Sequence, residues 1–460
     1  MSDVFLGIDL GTSGLKVSAV HEDGKILAEA EQSYQVDRPL PGHAEISPEV
    51  WVRSLHAAVA RLGSLKYRSA GIDGQMHGVV LVDADGIPCR PAILWPDRRA
   101  ESELPRWRDL SAQQRTRLAN PLTAGMAGPM LGWIQHHEPV TVQAASAAVQ
   151  PKDFLRGSLG GQMVGERSDA SATLLWDVPA DTWATDVIEE LGLPGHLLPE
   201  VVPSHEVVGA ADLPGEPALV AGAGDTPAAL LGSGGLAVGE VQVNLGTGAQ
   251  ILVGVDAPRP SADPKTHLYA DAGSAWYGMV AIQNGGLALN KAREWLQMSW
   301  DQLFAAAAAV PAGAGGVSVI PYLTGERGGV AAPTSRGSWL GLTDTTTAAD
   351  IARAAVEAMV FAVRQGVELL GSAPQSVRVT GGGARNPLVP QMLADSLTSQ
   401  VDVLPDRSAS SLGAAMLAAT GVGAQIAPVR DRPLTFTPRA SGRLEESYQR
   451  WATRLVAAGL

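Results

Sequence analysis

An α/β fold built from two copies of one domain plan is what the sequence predicts, on three observations. Short apolar strand-like runs alternate with helix-spaced segments in both halves of the chain. The tripeptide Leu-Gly-Thr occurs as Leu10-Gly11-Thr12 and again as Leu245-Gly246-Thr247, each time between two such runs. The length, 460 residues, suits two large domains or about three of average size. We place the boundary near residue 236, giving domains 1–236 and 237–460.

The elements follow in order. Val4 to Asp9 and Leu15 to Val20 are apolar at nearly every position, as strands buried on both faces would be. Asp23-Gly24 marks a hairpin into a third strand, Lys25 to Tyr34. Ser47-Pro48 opens a helix, with Trp51, Leu55, Ala58, Val59 and Leu62 on one face. A strand from Tyr67 to Ile72 and another from Ala218 to Ala221 complete the first half, which ends in a short helix over Pro227 to Leu231. The second half repeats the pattern with strands Glu240–Leu245, Ala249–Val255 and Ala275–Ile282. The Ala305–Ala309 run reads as helix. Thr347 caps a long helix, with Asp350 in its first turn and Ile351, Ala355, Met359, Val363 and Val367 as its apolar stripe. Ser376 to Thr380 is a strand, and Pro387–Ser399 and Ser410–Ala419 are helices. Pro- and Gly-rich stretches at 193–217 and 311–333 read as surface loops.

Composition excludes several classes of function. Asp plus Glu number 47 against 34 Lys plus Arg, a net charge of -13. That balance is opposite to the basic footprint of a nucleic-acid or anionic-membrane binder. Cys89 is the only cysteine, so neither an internal disulfide nor a cysteine zinc cage can form. No run of about 18 apolar residues is present to span a membrane. Met1-Ser2-Asp3-Val4 carries an acid where a secretory signal needs bases, so the expected compartment is the cytoplasm. With 45% hydrophobic residues the chain can collapse, which argues against disorder.

The sequence lacks a P-loop, a dinucleotide fingerprint and a His-Glu-x-x-His motif. His136-His137 lack the spacing of a helical metal pair and read as a solvated surface. Asp9-Leu10-Gly11-Thr12-Ser13-Gly14 is a tight turn at a strand end. Its glycines let backbone N–H groups approach an anion, Thr12 and Ser13 add donors and Lys16 adds charge. An acid beside an anion calls for a cation between them, and Mg²⁺ on phosphates fits Asp9. A plain hairpin turn with a capping Asp has the same local pattern. Gly246 and Thr247 offer a second cradle, so two such turns can hold a triphosphate. Gly381-Gly382-Gly383-Ala384 closes a strand and leaves room for a flat ring against bare backbone. Asp225 follows an apolar strand, where it suits either a general base or a helix N-cap. Glycines flank the segment Gln75-Met76-His77 and would leave Met76 and His77 open to a cleft, although a lone His is more often structural.

Together these segments resemble the FGGY carbohydrate kinases, of the actin-like, ribonuclease-H-like ATPase superfamily, over nearly the whole chain. Gly7 to Ser13 looks like the family's first phosphate motif, Gly337 to Glu357 like its long signature, and Gly381 to Arg385 like its adenosine motif. Within the family, Gly74 to Gly78, Pro91 to Trp95 and Pro151 to Arg156 are most similar to xylulokinases. The resemblance implies two actin-like domains closing on a hinge, and ATP- and Mg²⁺-dependent phosphorylation of D-xylulose to D-xylulose 5-phosphate. It assigns the base to Asp225, sugar contacts to Met76, His77, Asp225 and Thr226, and metal and phosphate to Asp9. Nucleotide binding falls on Thr12, Ser13, Lys16, Gly246, Thr247 and Gly381 to Ala384. Related kinases are commonly homodimers.

The chain departs from the xylulokinase pattern at four places. Thr226 stands where Asn usually follows the base, and Pro96 where Asn usually precedes Asp97. Gly328-Gly329 replace Thr-Pro after Gly325-Glu326-Arg327, and Gly248 replaces Ser in the second turn. The first three bear on the identity of the sugar. Three rivals remain: an FGGY kinase for another ketose, polyol or sugar acid, an actin-like ATPase that transfers nothing to a sugar, and an inactive sugar-binding relative.

Overall fold

The computed structural model describes residues 3–326, 330–332, 334–405, 408–427, 432–439 and 442–457. Met1-Ser2 and Arg327-Gly328-Gly329, used above, lie outside the described residues. The first half forms β1 (Val4–Leu10), β2 (Gly14–His21), β3 (Ile26–Ser33), α1 (Glu49–Ala60) and β4 (Ser69–Gly74). Then come β5 (Val207–Ala210), β6 (Ala218–Val220), β7 (Ala223–Gly224) and α2 (Asp225–Gly232). These strands make one seven-stranded sheet in the order β5-β6-β4-β1-β2-β3, with β7 beside β4. The second half gives β8 (Val241–Leu245), β9 (Ala249–Val255), β10 (His267–Ala270), β11 (Trp276–Ile282), α3 (Ala348–Leu369), β12 (Ser376–Thr380), β13 (Gln400–Val403), α4 (Ala409–Gly421) and β14 (Leu434–Phe436). Its sheet, also seven-stranded, runs β10-β11-β9-β8-β12-β13-β14.

The two sheets share one plan. An antiparallel hairpin, β1-β2 or β8-β9, lies beside a parallel strand, β4 or β12. A second parallel strand, β6 or β13, then leads to an antiparallel edge, β5 or β14. The duplication read from a repeated tripeptide is thus present in the pairing of every central strand. Long parallel pairing needs both faces covered, and α3 covers the second sheet with Ala352 to Val363 buried along its length. Its N-terminus carries the expected capping box, Thr347 with Asp350.

Two expectations fail. Residues 193–217 are not all surface loop, because Val207–Ala210 supplies the β5 edge. Residues 311–333 include the strand Ser318–Ile320, with Tyr322 and Glu326 fully buried. Both segments are too short to show a period of their own, and proline and glycine dominate their flanks. The strand expected from Tyr67 lies two residues later, because Ser69–Gly74 (SAGIDG) is buried throughout yet contains glycine and an acid.

The helix α4 comes from the far end of the chain but packs on β1 and β4 of the first sheet and on α2. Glycine makes this possible. A Cβ at Gly7 would lie 1.7 Å from the Ser411 carbonyl oxygen, and one at Gly71 2.2 Å from that of Ala414. The helix backbone therefore rests directly on the strands. Gly71→Ala should cost about 3 kcal/mol or more, at the upper end of overpacking, since backbone rather than a flexible side chain must move. A thermal melt will test this, and an unchanged melting temperature would show that α4 is not seated there.

Candidate active site

Three carboxylates end three neighbouring strands of the first sheet. Asp9 closes β1, Asp73 lies in direct parallel register with it on β4, and Asp225 follows β7, whose Ala223 pairs with Asp73. Asp225 keeps a partly exposed edge. Its Oδ1 accepts from the Thr226 N–H at 2.6 Å and from the Thr226 hydroxyl at 3.2 Å. Burial, then the nearby Asp9 charge, raise its pKa to about 6, and the Thr226 contacts only partly oppose them. The helix N-cap is Gly224, with no side-chain cap bond. The capping role open to Asp225 in the sequence is therefore filled by its neighbour's backbone.

A buried chain of hydrogen bonds fixes the turn that carries Asp225. Glu166 accepts from the N–H groups of Ser168 and Asp169 at 2.7 and 2.9 Å and from the Ser168 hydroxyl at 2.7 Å. The Ser168 oxygen accepts in turn from the Gly224 N–H at 3.0 Å. Lys152 balances the acids, at 2.7 Å from Asp153, 3.1 Å from Asp169 and 3.5 Å from Glu166. Burial alone would lower the Lys152 pKa, but Asp153, Asp169 and Glu166 outweigh it and hold the ammonium charged.

The Met76-His77 loop lies against this turn. Met76 is 6% exposed and packs on Gly224, where a Cβ would meet its side chain at 2.8 Å. That corrects the expectation of an exposed Met76, since flanking glycines let the chain turn inward as readily as outward. His77 stays partly open. It takes a left-handed backbone, φ 73°, and its Nδ1 lies 2.8 Å from the Ala172 carbonyl oxygen. Non-glycine residues held in such a conformation concentrate at functional sites. Tyr269 of the second sheet approaches the His77 ring at 6.0 Å between centroids.

In the first turn, Thr12 accepts from the Trp95 indole at 2.9 Å, Ser13 is exposed and Lys16 donates to Ser408 at 3.2 Å. In the second, the Gly246 and Thr247 carbonyls accept from the N–H groups of Gly286 and Leu287. Glu326 braces that region, accepting from the N–H groups of Gln283 and Asn284 at 2.7 and 2.9 Å. Gly248 sits where a Cβ would be 2.5 Å from the Ile282 carbonyl oxygen, which leaves no room for the usual Ser. Gly381, at φ +91°, presses on Leu245, where a Cβ would come within 2.4 Å of the carbonyl oxygen. This contact brings Gly381 to Ala384 beside Gly246 and Thr247. A Cβ on Gly382 would meet nothing within 4 Å, so bare backbone there faces open space, as a nucleotide cradle requires. Mg²⁺ also fits the donor set, because two adjacent acids meet its preference for one or two carboxylates plus water and phosphate. Among the described residues no three His, Cys, Asp or Glu side chains converge on a metal position.

Sequence reasoning missed Asp73 and Tyr277. Asp73 is fully buried, and neither of its oxygens accepts a hydrogen bond from a donor. Burial, then the charges of Asp9 and Asp225, push its pKa well up. A signal was available, since Gly71-Ile72-Asp73 repeats Gly7-Ile8-Asp9. Tyr277 reaches in from β11, buried, with no partner for its hydroxyl. Burial, Tyr269 and the nearby acids Asp225 and Asp169 raise its pKa. No local pattern marks it. His136 and His137 are exposed, as expected.

Two sheets of one plan, each with a Gly-Thr turn after its first hairpin strand, and a carboxylate at the start of the helix Asp225–Gly232, define a two-domain protein of the actin-like class. Family models for the N-terminal and C-terminal domains of the FGGY family of carbohydrate kinases match residues 4–232 and 241–422, and the chain belongs to that family. It is 31% identical to the xylulose kinase of Bacillus subtilis over 443 residues, 91% of this chain and 88% of that one. It is also 31% identical to the glycerol kinase of Acidovorax ebreus, over 99% of both. The crystal structure of the Brucella ovis xylulose kinase superposes with a TM-score of 0.92 at 26% identity, over 99% of each chain. Among the described residues no helix is long and apolar enough to cross a membrane.

Proposed function

We propose that the protein transfers the γ-phosphoryl group of ATP to D-xylulose, giving D-xylulose 5-phosphate, with Asp225 as general base. The observation that carries this reading is Asp225 itself, a partly open carboxylate beside Met76 and His77 whose pKa of about 6 leaves it mostly ionised at neutral pH. It is a stronger base than an ordinary Asp and still ready to accept a proton. The sugar is read from the Gln75-Met76-His77 segment and from the similarity to xylulose kinases.

In the transfer, the sugar hydroxyl oxygen bonds to the γ-phosphorus as the bond to the β-phosphate oxygen breaks. ADP leaves, and the hydroxyl proton passes to Asp225. Thr226 holds one carboxylate oxygen, which leaves the other to face the hydroxyl. Residues 1–236 supply the sugar contacts and the base, and residues 237–460 most of the nucleotide cradle. Thr12, Ser13 and Lys16 meet the terminal phosphates, Gly246 and Thr247 the facing side, and Gly381 to Ala384 the adenosine. Asp9 would hold Mg²⁺, which when bound offsets the charge of the phosphates. Phosphoryl transfer depends on such positioning and neutralisation more than on covalent help. Closure of the two halves excludes water, the competing acceptor. We place the reaction in the cytoplasm.

A second reading, an FGGY kinase for another ketose, a polyol or a sugar acid, draws on Thr226, whose hydroxyl is turned to Asp225 and has a shorter reach than Asn. Coupled measurement of ADP release over a sugar panel separates the two. D-xylulose should give the highest kcat/KM. A clearly higher value for glycerol, gluconate or ribulose would overturn the sugar while keeping the kinase. ADP release indifferent to every sugar would return the protein to a simple ATPase.

A further inference from the structure

The duplicated Gly-Ile-Asp has a functional reading as well as a structural one. Gly7, Ile8 and Asp9 pair residue for residue with Gly71, Ile72 and Asp73 across adjacent parallel strands. Each glycine admits α4, each isoleucine is fully buried in the core, and each acid stands at the ligand end of its strand. Packing explains the first two pairs and does not explain Asp73. A buried carboxylate without a cation or a donor costs several kcal/mol, so such a group is ordinarily paired or replaced by an apolar residue. Asp73 has no cation, and the support it does have is a hydrogen bond shared with a second acid, Asp9. It makes no ion pair among the described residues, and both of its oxygens lack donors. Lys152, the fully buried lysine nearby, is taken up by Asp153, Glu166 and Asp169. The Lys16 ammonium is hydrogen-bonded to Ser408 and acts on Asp9. The Asp73 carboxyl is aimed at that of Asp9, within hydrogen-bond reach.

Gln75, next along the same segment, is also buried with an unpaired Oε1, while its Nε2 donates to the Gly11 carbonyl at 3.3 Å. The first turn is therefore backed by several acceptor oxygens and short of donors. A partner for such a set must be positive and small.

We propose that Asp73 is a second anionic anchor, beside Asp9, for the divalent cation that accompanies the nucleotide. The proposal rests on the kinase reading and adds to it a residue that neither the sequence motifs nor the family match assigns. The donor set suits Mg²⁺ or Mn²⁺, which accept one or two carboxylates and keep water and phosphate oxygens on their other positions.

The test is Mn²⁺ binding to protein saturated with ADP, read by electron paramagnetic resonance, for the wild type, Asp9→Asn and Asp73→Asn. Asparagine keeps the shape and removes the charge. Asp73→Asn should weaken Mn²⁺ binding by roughly 10-fold or more, the range seen when groups supporting a metal site are removed. ADP affinity without metal should stay within about twofold, as a residue that touches the cation and not the nucleotide requires. If Asp73→Asn does not fold, Asp73→Ser carries the same expectation. An unchanged Mn²⁺ affinity, with or without a rise in melting temperature, would overturn the proposal and leave Asp73 as a buried acid only. That result in an enzyme still active on sugar would leave the kinase reading intact. A wild type with no Mn²⁺–ADP complex would instead overturn the nucleotide reading and this inference with it.

Discussion

Asp225→Asn should lose ~10²–10⁴ of kcat, about 3–5 kcal/mol at 1.36 kcal/mol per factor of ten, while sugar and ATP still bind. Asparagine keeps the contact to the Thr226 N–H but cannot take the proton of the attacking hydroxyl. The stability effect has the opposite sign. The Asp225 pKa is raised from 3.8 to about 6, so folding favours its protonated form. Well below pH 3.8 the group is neutral in both states and contributes no pH-dependent term. Between pH 4 and 6 the unfolded chain ionises first and the folded state loses ground, by at most about 3 kcal/mol in full at neutral pH. The Asn variant should therefore melt higher than wild type at pH 8, with the difference fading towards pH 4. A helix cap would behave otherwise, because its loss lowers stability by roughly 0.5–2 kcal/mol and leaves turnover per folded molecule unchanged. The same pKa, that of the free protein, predicts that wild-type kcat/KM rises through pH 6 and levels off above it. Normal kcat in Asp225→Asn with a lowered melting temperature would remove Asp225 from the chemistry.

Asp9→Ala should reduce kcat by about 10³, the several kcal/mol expected when the charge-neutralising partner of a phosphoryl group is lost. The fold should survive. Asp9 stands partly exposed at the end of β1, so its removal opens no cavity in the core. It also relieves crowding with Asp73 and Asp225, so the melting temperature should hold or rise. Turnover measured against Mg²⁺ concentration, beside a thermal melt, reads both effects. A variant with wild-type turnover and wild-type Mg²⁺ dependence would reduce the first turn to a structural hairpin.

The elements of the fold and the residues of the site were unevenly legible in the chain. Strands Ala249–Val255 and Ser376–Thr380, and the Thr347–Asp350 capping box, are local matters of side-chain pattern and capping chemistry, so they stand in the structure where the residues place them. The same holds for the paired Gly-Thr turns, since a turn's residues must meet its dihedral demands wherever the turn sits. Asp225 was legible as a carboxylate at a strand end. Its role was not, because base and cap share one local pattern, and only the packed helix shows Gly224 in the cap position.

Partnership over long sequence distances was decided by tertiary structure. Gly7 and Gly71 look like ordinary strand glycines until α4, more than 300 residues later, is laid across them. Asp73 reads as an interruption in a poor strand, and only the β1–β4 register sets it beside Asp9. Tyr277 belongs to the second sheet and meets the acids of the first through the docking of the two halves. Met76, open by its flanking glycines, is buried by contacts no neighbour in sequence supplies. Local propensity and motif spacing therefore determined the elements, the turns and the family. Burial, charge crowding and the unpaired oxygens around Asp9 and Asp225 arise only when distant strands share a sheet, because desolvation and Coulomb energy depend on distance in space and not on distance along the chain.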